Sequence, residues 1–124
     1  MSPSARALKD LRDMGYIPWV VERLITRFIK RDLFNVIDIL ALKGTETLAI
    51  QVTAGSGHAN RCKKVKDSEY LQLMQDAGWV VQVWSYRKNA AGRYIQRITE
   101  INGNQKDAIS PGRGEKENFR QSDH

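Results

Sequence analysis

Residues 5–14 place Ala5, Leu8, Leu11 and Met14 on one stripe at helical spacing, with Arg6, Lys9, Asp10, Arg12 and Asp13 elsewhere. That pattern predicts a short amphipathic helix, and Gly15 supplies its stop. Residues 16–25 are rich in aromatic and β-branched side chains and predict a strand. Pro18 cannot donate a ladder hydrogen bond, so this strand starts late or lies at an edge. Residues 26–31 are basic and follow neither period. Residues 34–42 and 46–53 are two further strands joined through Lys43-Gly44-Thr45. Glycine accepts the positive φ that opens a type II′ turn. The resulting register pairs Lys43 with Glu46 and sets Asp38 opposite Gln51. Alternation then puts Val36, Asp38, Leu40, Ala49, Gln51 and Thr53 on one face, and Ile37, Ile39, Ala41, Leu48, Ile50 and Val52 on the other. Beyond a Gly-Ser-Gly loop, residues 59–77 predict a helix that Gly78 ends. Residues 79–86 and 94–101 predict two last strands, with a loop over residues 87–93.

The order is therefore αβββαββ. A helix between the third and fourth strands implies a parallel crossover, so the expected class is α/β with a mixed central sheet. The chain has 124 residues and a net charge of +6, suited to one domain with an anionic partner. After residue 102, four basic residues meet four acidic ones, so the whole +6 excess lies on residues 1–102. Residues 103–124 are largely polar, with Phe119 as the one large apolar side chain after Gly114, and are expected to form a disordered tail. No apolar run approaches the ~18–20 residues of a membrane span. A single cysteine, Cys62, excludes a disulfide framework and a multi-cysteine zinc site. The expected setting is cytoplasmic, without membrane contact.

Asp38 stands inside the apolar run Val36-Ile37-Asp38-Ile39-Leu40, where a buried, unpaired carboxylate is costly. A structural reading pairs it with an arginine or backbone donors. Its expected neighbours suggest chemistry instead: Gln51 opposite, Glu22 on the preceding strand, Asp32 upstream, and His58 and Lys63 after the third strand. Oxygen ligands on adjacent strands suit Mg²⁺ or Mn²⁺, which can activate water and neutralise charge developing on a phosphodiester.

The element order, the aspartate on a hairpin strand and the facing Gln51-Val52-Thr53 resemble the PD-(D/E)XK nuclease superfamily. Within it, the run from Arg31 to Leu42, Arg-Asp-Leu-Phe-Asn-Val-Ile-Asp-Ile-Leu-Ala-Leu, is similar to small phage and archaeal Holliday junction resolvase-like proteins. So is Gln51-Val52-Thr53 followed by His58, Arg61 and Lys64. The resemblance spans residues 4–101. It implies a restriction-endonuclease-like αβββαβ core, a homodimer of phage or prokaryotic origin, and metal-dependent cleavage of DNA. Asp38 matches the metal-binding aspartate. Gln51 takes the place of the second carboxylate as a neutral oxygen ligand, and Thr53 takes that of the lysine. Threonine cannot supply a cation, so Lys63, Lys64 or Arg61 would have to reach back. Glu22 and Asp32 would supplement the metal ligands, and His58 would serve as base or phosphate ligand.

Each of these residues also has a plain structural reading: Glu22 paired with Arg23 or Lys30, His58 as an exposed loop residue, Cys62 as core. Arg61, Lys63, Lys64 and Lys66 open the expected helix, where cations oppose the helix dipole; this favours phosphate contact over a merely solvated face. Arg27, Lys30, Arg31, Arg87 and Lys88 extend the same basic character along the chain and are expected to hold a nucleic-acid backbone. Three functions follow: a metal-dependent endonuclease acting on linear or branched DNA, an eroded nuclease fold that binds nucleic acid without cutting, or a protein-interaction module. RNA stays open as a substrate.

Overall fold

A computed structural model describes residues 1–27, 29–102 and 108–110. Helix α1 (Pro3–Asp13) begins where Ser2 Oγ accepts the Ala5 N–H at 3.1 Å, with proline in the first turn. Gly15, at φ 91°, turns the chain out of it. Strand β1 (Ile17–Val20) is followed by β2 (Arg23–Thr26), β3 (Ile29–Arg31), β4 (Ile39–Lys43) and β5 (Glu46–Ala54). A 3₁₀ turn (Gly55–Gly57) leads into α2 (His58–Lys66) and α3 (Leu71–Asp76). Strands β6 (Trp79–Lys88), β7 (Tyr94–Glu100) and β8 (Ala108–Ser110) follow α3.

The main sheet runs β1-β4-β5-β6-β7-β8, and β2 and β3 form a separate two-stranded ribbon. The β5–β6 pair is parallel, as the intervening helices require, and every other neighbouring pair is antiparallel. One face packs Ile39, Ala41, Leu48, Ile50, Trp84 and Ile98 against Ala7 and Leu11 of α1. The opposite face packs Ala49, Val81 and Val83 against Cys62 and Val65 of α2 and Leu71 and Met74 of α3. The architecture is thus mixed α/β, with a mixed sheet between helices.

The β4–β5 register is the expected one, including Lys43 opposite Glu46. Small shifts of element ends apart, such as β6 running on through Arg87 and Lys88 of the expected loop, four segments differ from the sequence reading. The strand expected over residues 34–42 begins only at Ile39, because Phe34 and Asn35 take φ of 51° and 66° in a turn. Left-handed backbone is tolerable for asparagine and strained for phenylalanine. Stacking of Phe34 on Tyr70, with ring centroids 5.1 Å apart, holds that turn. Ile37 consequently joins Val36 beneath α2 and α3, on the face opposite to the one its parity predicts.

The strand expected over residues 16–25 is broken at Val21 and Glu22, and its second half pairs with the basic stretch as the β2–β3 ribbon. Pro18 lies on an edge strand, as its missing N–H demands. The long helix over residues 59–77 is two helices. Ser68 Oγ accepts the Tyr70 N–H at 3.1 Å between them, a side-chain turn that competes with helical bonding. Of the expected disordered tail, Ala108–Ser110 instead pair with β7, and the rest lies outside the described residues. Among the described residues, no helix is long and apolar enough to cross a membrane.

Candidate metal and phosphate site

Asp38 sits one residue before β4, held on both sides by backbone. Its N–H donates to Ile50 O at 2.9 Å, and its C=O accepts from Val21 N–H at 2.8 Å. These bonds join the end of β1 to β5 and aim the side chain toward Gln51. Asp38 Oδ2 accepts from Gln51 Nε2 at 2.5 Å and from the Val52 N–H at 2.9 Å. The left-handed turn at Phe34 and Asn35 brings Asp32 back toward the same point, with Gln51 Nε2 3.5 Å from Asp32 Oδ2. Glu22 enters from the break after β1. Carboxylate oxygens of Glu22, Asp32 and Asp38 lie within 4.8 Å of one another.

A buried carboxylate beside a second one does not ionise cheaply. Asp38 is 8% exposed. Burial first, and the neighbouring Asp32 carboxylate after it, push its pKa up to about 7, against the opposing Val52 N–H and Gln51 hydrogen bonds. The site therefore carries suppressed negative charge that a cation would release.

Gln51 supports the same conclusion. It is wholly buried, its Nε2 serves the carboxylates, and its Oε1 has no hydrogen-bond partner among the described residues. Turning the amide over exchanges oxygen for nitrogen at nearly constant shape. Gln51 would then offer an oxygen beside three carboxylates, a hard donor set that fits Mg²⁺ or Mn²⁺.

The basic residue brought to these carboxylates is Lys30 on β3, whose Nζ lies 3.4 Å from Glu22 Oε2. Pairing of Glu22 with Lys30 was the structural alternative for that glutamate; here the pair borders the acidic cluster. Lys63 instead meets Asp67 at 2.7 Å on the exposed side of α2. Thr53, in the lysine's place, is packed under Gly57, where a Cβ would come within 2.6 Å of its Oγ1.

His58 is buried and lies apart from Asp38 along the sheet. Its Nδ1 is 2.6 Å from Ser85 Oγ on β6, and its Nε2 is 2.7 Å from Thr99 Oγ1 on β7. Neither the exposed-loop reading nor a place among the carboxylates describes it. Its hydroxyl partners were missed because each is an ordinary strand residue, joined to His58 only by the sheet.

The dipole argument holds for Arg61, in the first turn of α2, and fails for the three lysines. With the helix ending at Lys66, Lys63, Lys64 and Lys66 occupy its last turn, where positive charge is favourable. Lys64 is exposed and Arg61 half-buried on the same helix. Arg27 is exposed at the β2–β3 turn, Lys30 and Arg31 are exposed on β3, and Arg87 and Lys88 are exposed at the end of β6. The basic residues are thus spread over several elements.

Comparison with family models, curated proteins and solved structures finds no match to this chain.

Proposed function

We propose that the protein is a metal-dependent endonuclease that hydrolyses phosphodiester bonds in DNA, with branched DNA as a candidate substrate. The observation carrying this reading is the convergence of Glu22, Asp32 and Asp38 on buried Gln51, with its unpartnered Oε1. Asp38, Asp32, Glu22 and Gln51 would hold Mg²⁺ or Mn²⁺. When bound, the ion supplies Lewis-acid polarisation of the phosphate and a more acidic water. The chain's own part is positioning: the Val52 N–H fixes Asp38, and the Phe34–Asn35 turn keeps Asp32 beside it. The Lys30 ammonium supplies the positive charge that Thr53 cannot.

The restriction-endonuclease-like core belongs to the same reading. The α-β-β-β-α-β order is supported by α1, β1, β4, β5, α2–α3 and β6, with the β2–β3 ribbon inserted. A homodimer is also part of it, and Ile17 and Trp19, 70% and 74% exposed on edge strand β1, offer apolar surface for a second copy. The rival reading, nucleic-acid binding without cleavage, draws on Thr53 in the lysine's place.

Purified protein incubated with linear and four-way DNA in Mg²⁺, Mn²⁺ or EDTA tests the proposal: cleavage is expected in the metals and not in EDTA. Lys30→Ala is expected to slow cleavage about tenfold or more, whereas Lys9→Ala, at an exposed lysine of α1 outside the site, changes it less than about twofold. Equal loss in both variants would assign the lysines to general backbone attraction.

A further inference from the structure

Strand β7 and helix α2 border a cavity of about 300 Å³ whose lining includes His58, Cys62, Lys63, Lys66, Arg97 and Thr99. Lys63 and Lys66 are three apart on α2 and so share a side of that helix. Arg97 reaches the cavity from β7, two residues before Thr99. Among the described residues no carboxylate lines the cavity and Arg97 has no ion pair. The acidic group that meets Lys63 is Asp67, at 2.7 Å in an exposed pair, which screens that ammonium weakly.

The base of the cavity is polar and fixed. His58 and Thr99 are buried, and the imidazole is gripped between Ser85 and Thr99 hydroxyls at 2.6 and 2.7 Å. In the tautomer that accepts from Ser85 at Nδ1 and donates from Nε2 to Thr99, the Thr99 O–H is left to donate elsewhere. An oxyanion seated here would meet the planar donor fork of an arginine, two ammonium groups and a buried hydroxyl relay.

We propose that this cavity is an oxyanion site that takes a phosphate group. Its ligand's identity rests on the nuclease reading, since a strand held by one phosphate here could present another to the carboxylates. The cation-lined cavity itself does not depend on that reading. Free phosphate and a phosphate of a DNA strand share the chemistry that the cavity recognises.

The test is a titration of the full chain with inorganic phosphate in EDTA at fixed ionic strength, followed by nuclear magnetic resonance. Saturable shifts are expected at His58, Arg97 and Thr99. Arg97→Ala and Lys66→Ala, both at exposed positions, should each weaken binding about fivefold or more, while Lys9→Ala and Asp38→Asn leave it unchanged. Short single-stranded DNA with and without a 5′-phosphate then separates the sources. Preference for the phosphorylated strand, removed by Arg97→Ala, identifies a terminal monoester. Equal binding weakened by the same variant identifies the backbone diester. Shifts that grow without saturation over all exposed lysines and arginines, or wild-type phosphate affinity in Arg97→Ala, would overturn the proposal. Because EDTA is present and Asp38→Asn is retained as a control, failure of cleavage and failure of this site are read separately.

Discussion

Asp38→Asn is expected to lower metal-dependent DNA cleavage by at least about 100-fold while leaving the fold and DNA binding in place. The substitution suits the test because of how the carboxylate is bonded. Both donors, Gln51 Nε2 and the Val52 N–H, go to Oδ2. An asparagine can keep its oxygen there and turn its amide nitrogen toward Asp32, so the local hydrogen bonds survive. What is lost is the negative charge that would draw a cation between Asp38 and Gln51. Asp38→Ala would also remove the anchor of the Val52 N–H and confuse chemistry with stability. Cleavage rates on linear and four-way DNA, with binding measured separately in EDTA, make the comparison. A variant that cuts like wild type would remove Asp38 from the reaction.

The second large effect is on stability. In the folded chain the Asp38 pKa is raised from 3.8 to about 7, with burial and then Asp32 as the causes. The folded state therefore binds this proton more tightly than the unfolded chain does. Its contribution is fully present below the unfolded pKa and is lost as pH rises through the folded one. Metal-free protein should accordingly lose stability between about pH 4 and about pH 7, by on the order of 3 kcal/mol, and level off above that range. The Glu22 and Asp32 carboxylates face the same group, with the Lys30 ammonium beside Glu22. Chemical denaturation across that range is the check, and Asp38→Asn should flatten the slope. Near pH 8, Mg²⁺ or Mn²⁺ should restore stability to the wild type and have little effect on the variant, because binding to the native state alone is stabilising. A wild type whose stability rises steadily from about pH 4 to about pH 7 would show that Asp38 is not held protonated by its surroundings.

Much of the carboxylate site was legible because strand geometry is local. Gly44 set the hairpin register, which holds from Lys43–Glu46 to Ile39–Ile50 and brings the Asp38 carboxylate to the Gln51 amide just beyond its end. Alternation likewise anticipated the apolar face that packs on α1. Contacts between distant segments were less legible. The break after β1 and the β2–β3 ribbon together bring Lys30 to Glu22, and no period in the sequence encodes that meeting. The Phe34–Asn35 turn was hidden inside a run whose apolar content favours a strand. Its asparagine was the available sign, since asparagine accepts left-handed backbone more readily than most residues. His58 shows the limit of local reading most clearly. A Gly-Ser loop suggested exposure, yet the fold closes β6 and β7 over both ring nitrogens. On α2, a misplaced helix end reversed the meaning of three lysines. Their proximity in sequence was real; their relation to the helix dipole depended on where Asp67 stops the helix.

The central claim is that Glu22, Asp32, Asp38 and Gln51 form a divalent-cation site. Anomalous scattering from crystals soaked in Mn²⁺ tests it most directly. The predicted result is a single strong peak between Asp38 and Gln51, with oxygen ligands and the Gln51 amide turned to present Oε1, and no such peak in Asp38→Asn crystals. Crystals saturated with Mn²⁺ that show no peak among these four residues, with Gln51 Nε2 still donating to Asp38, would contradict it.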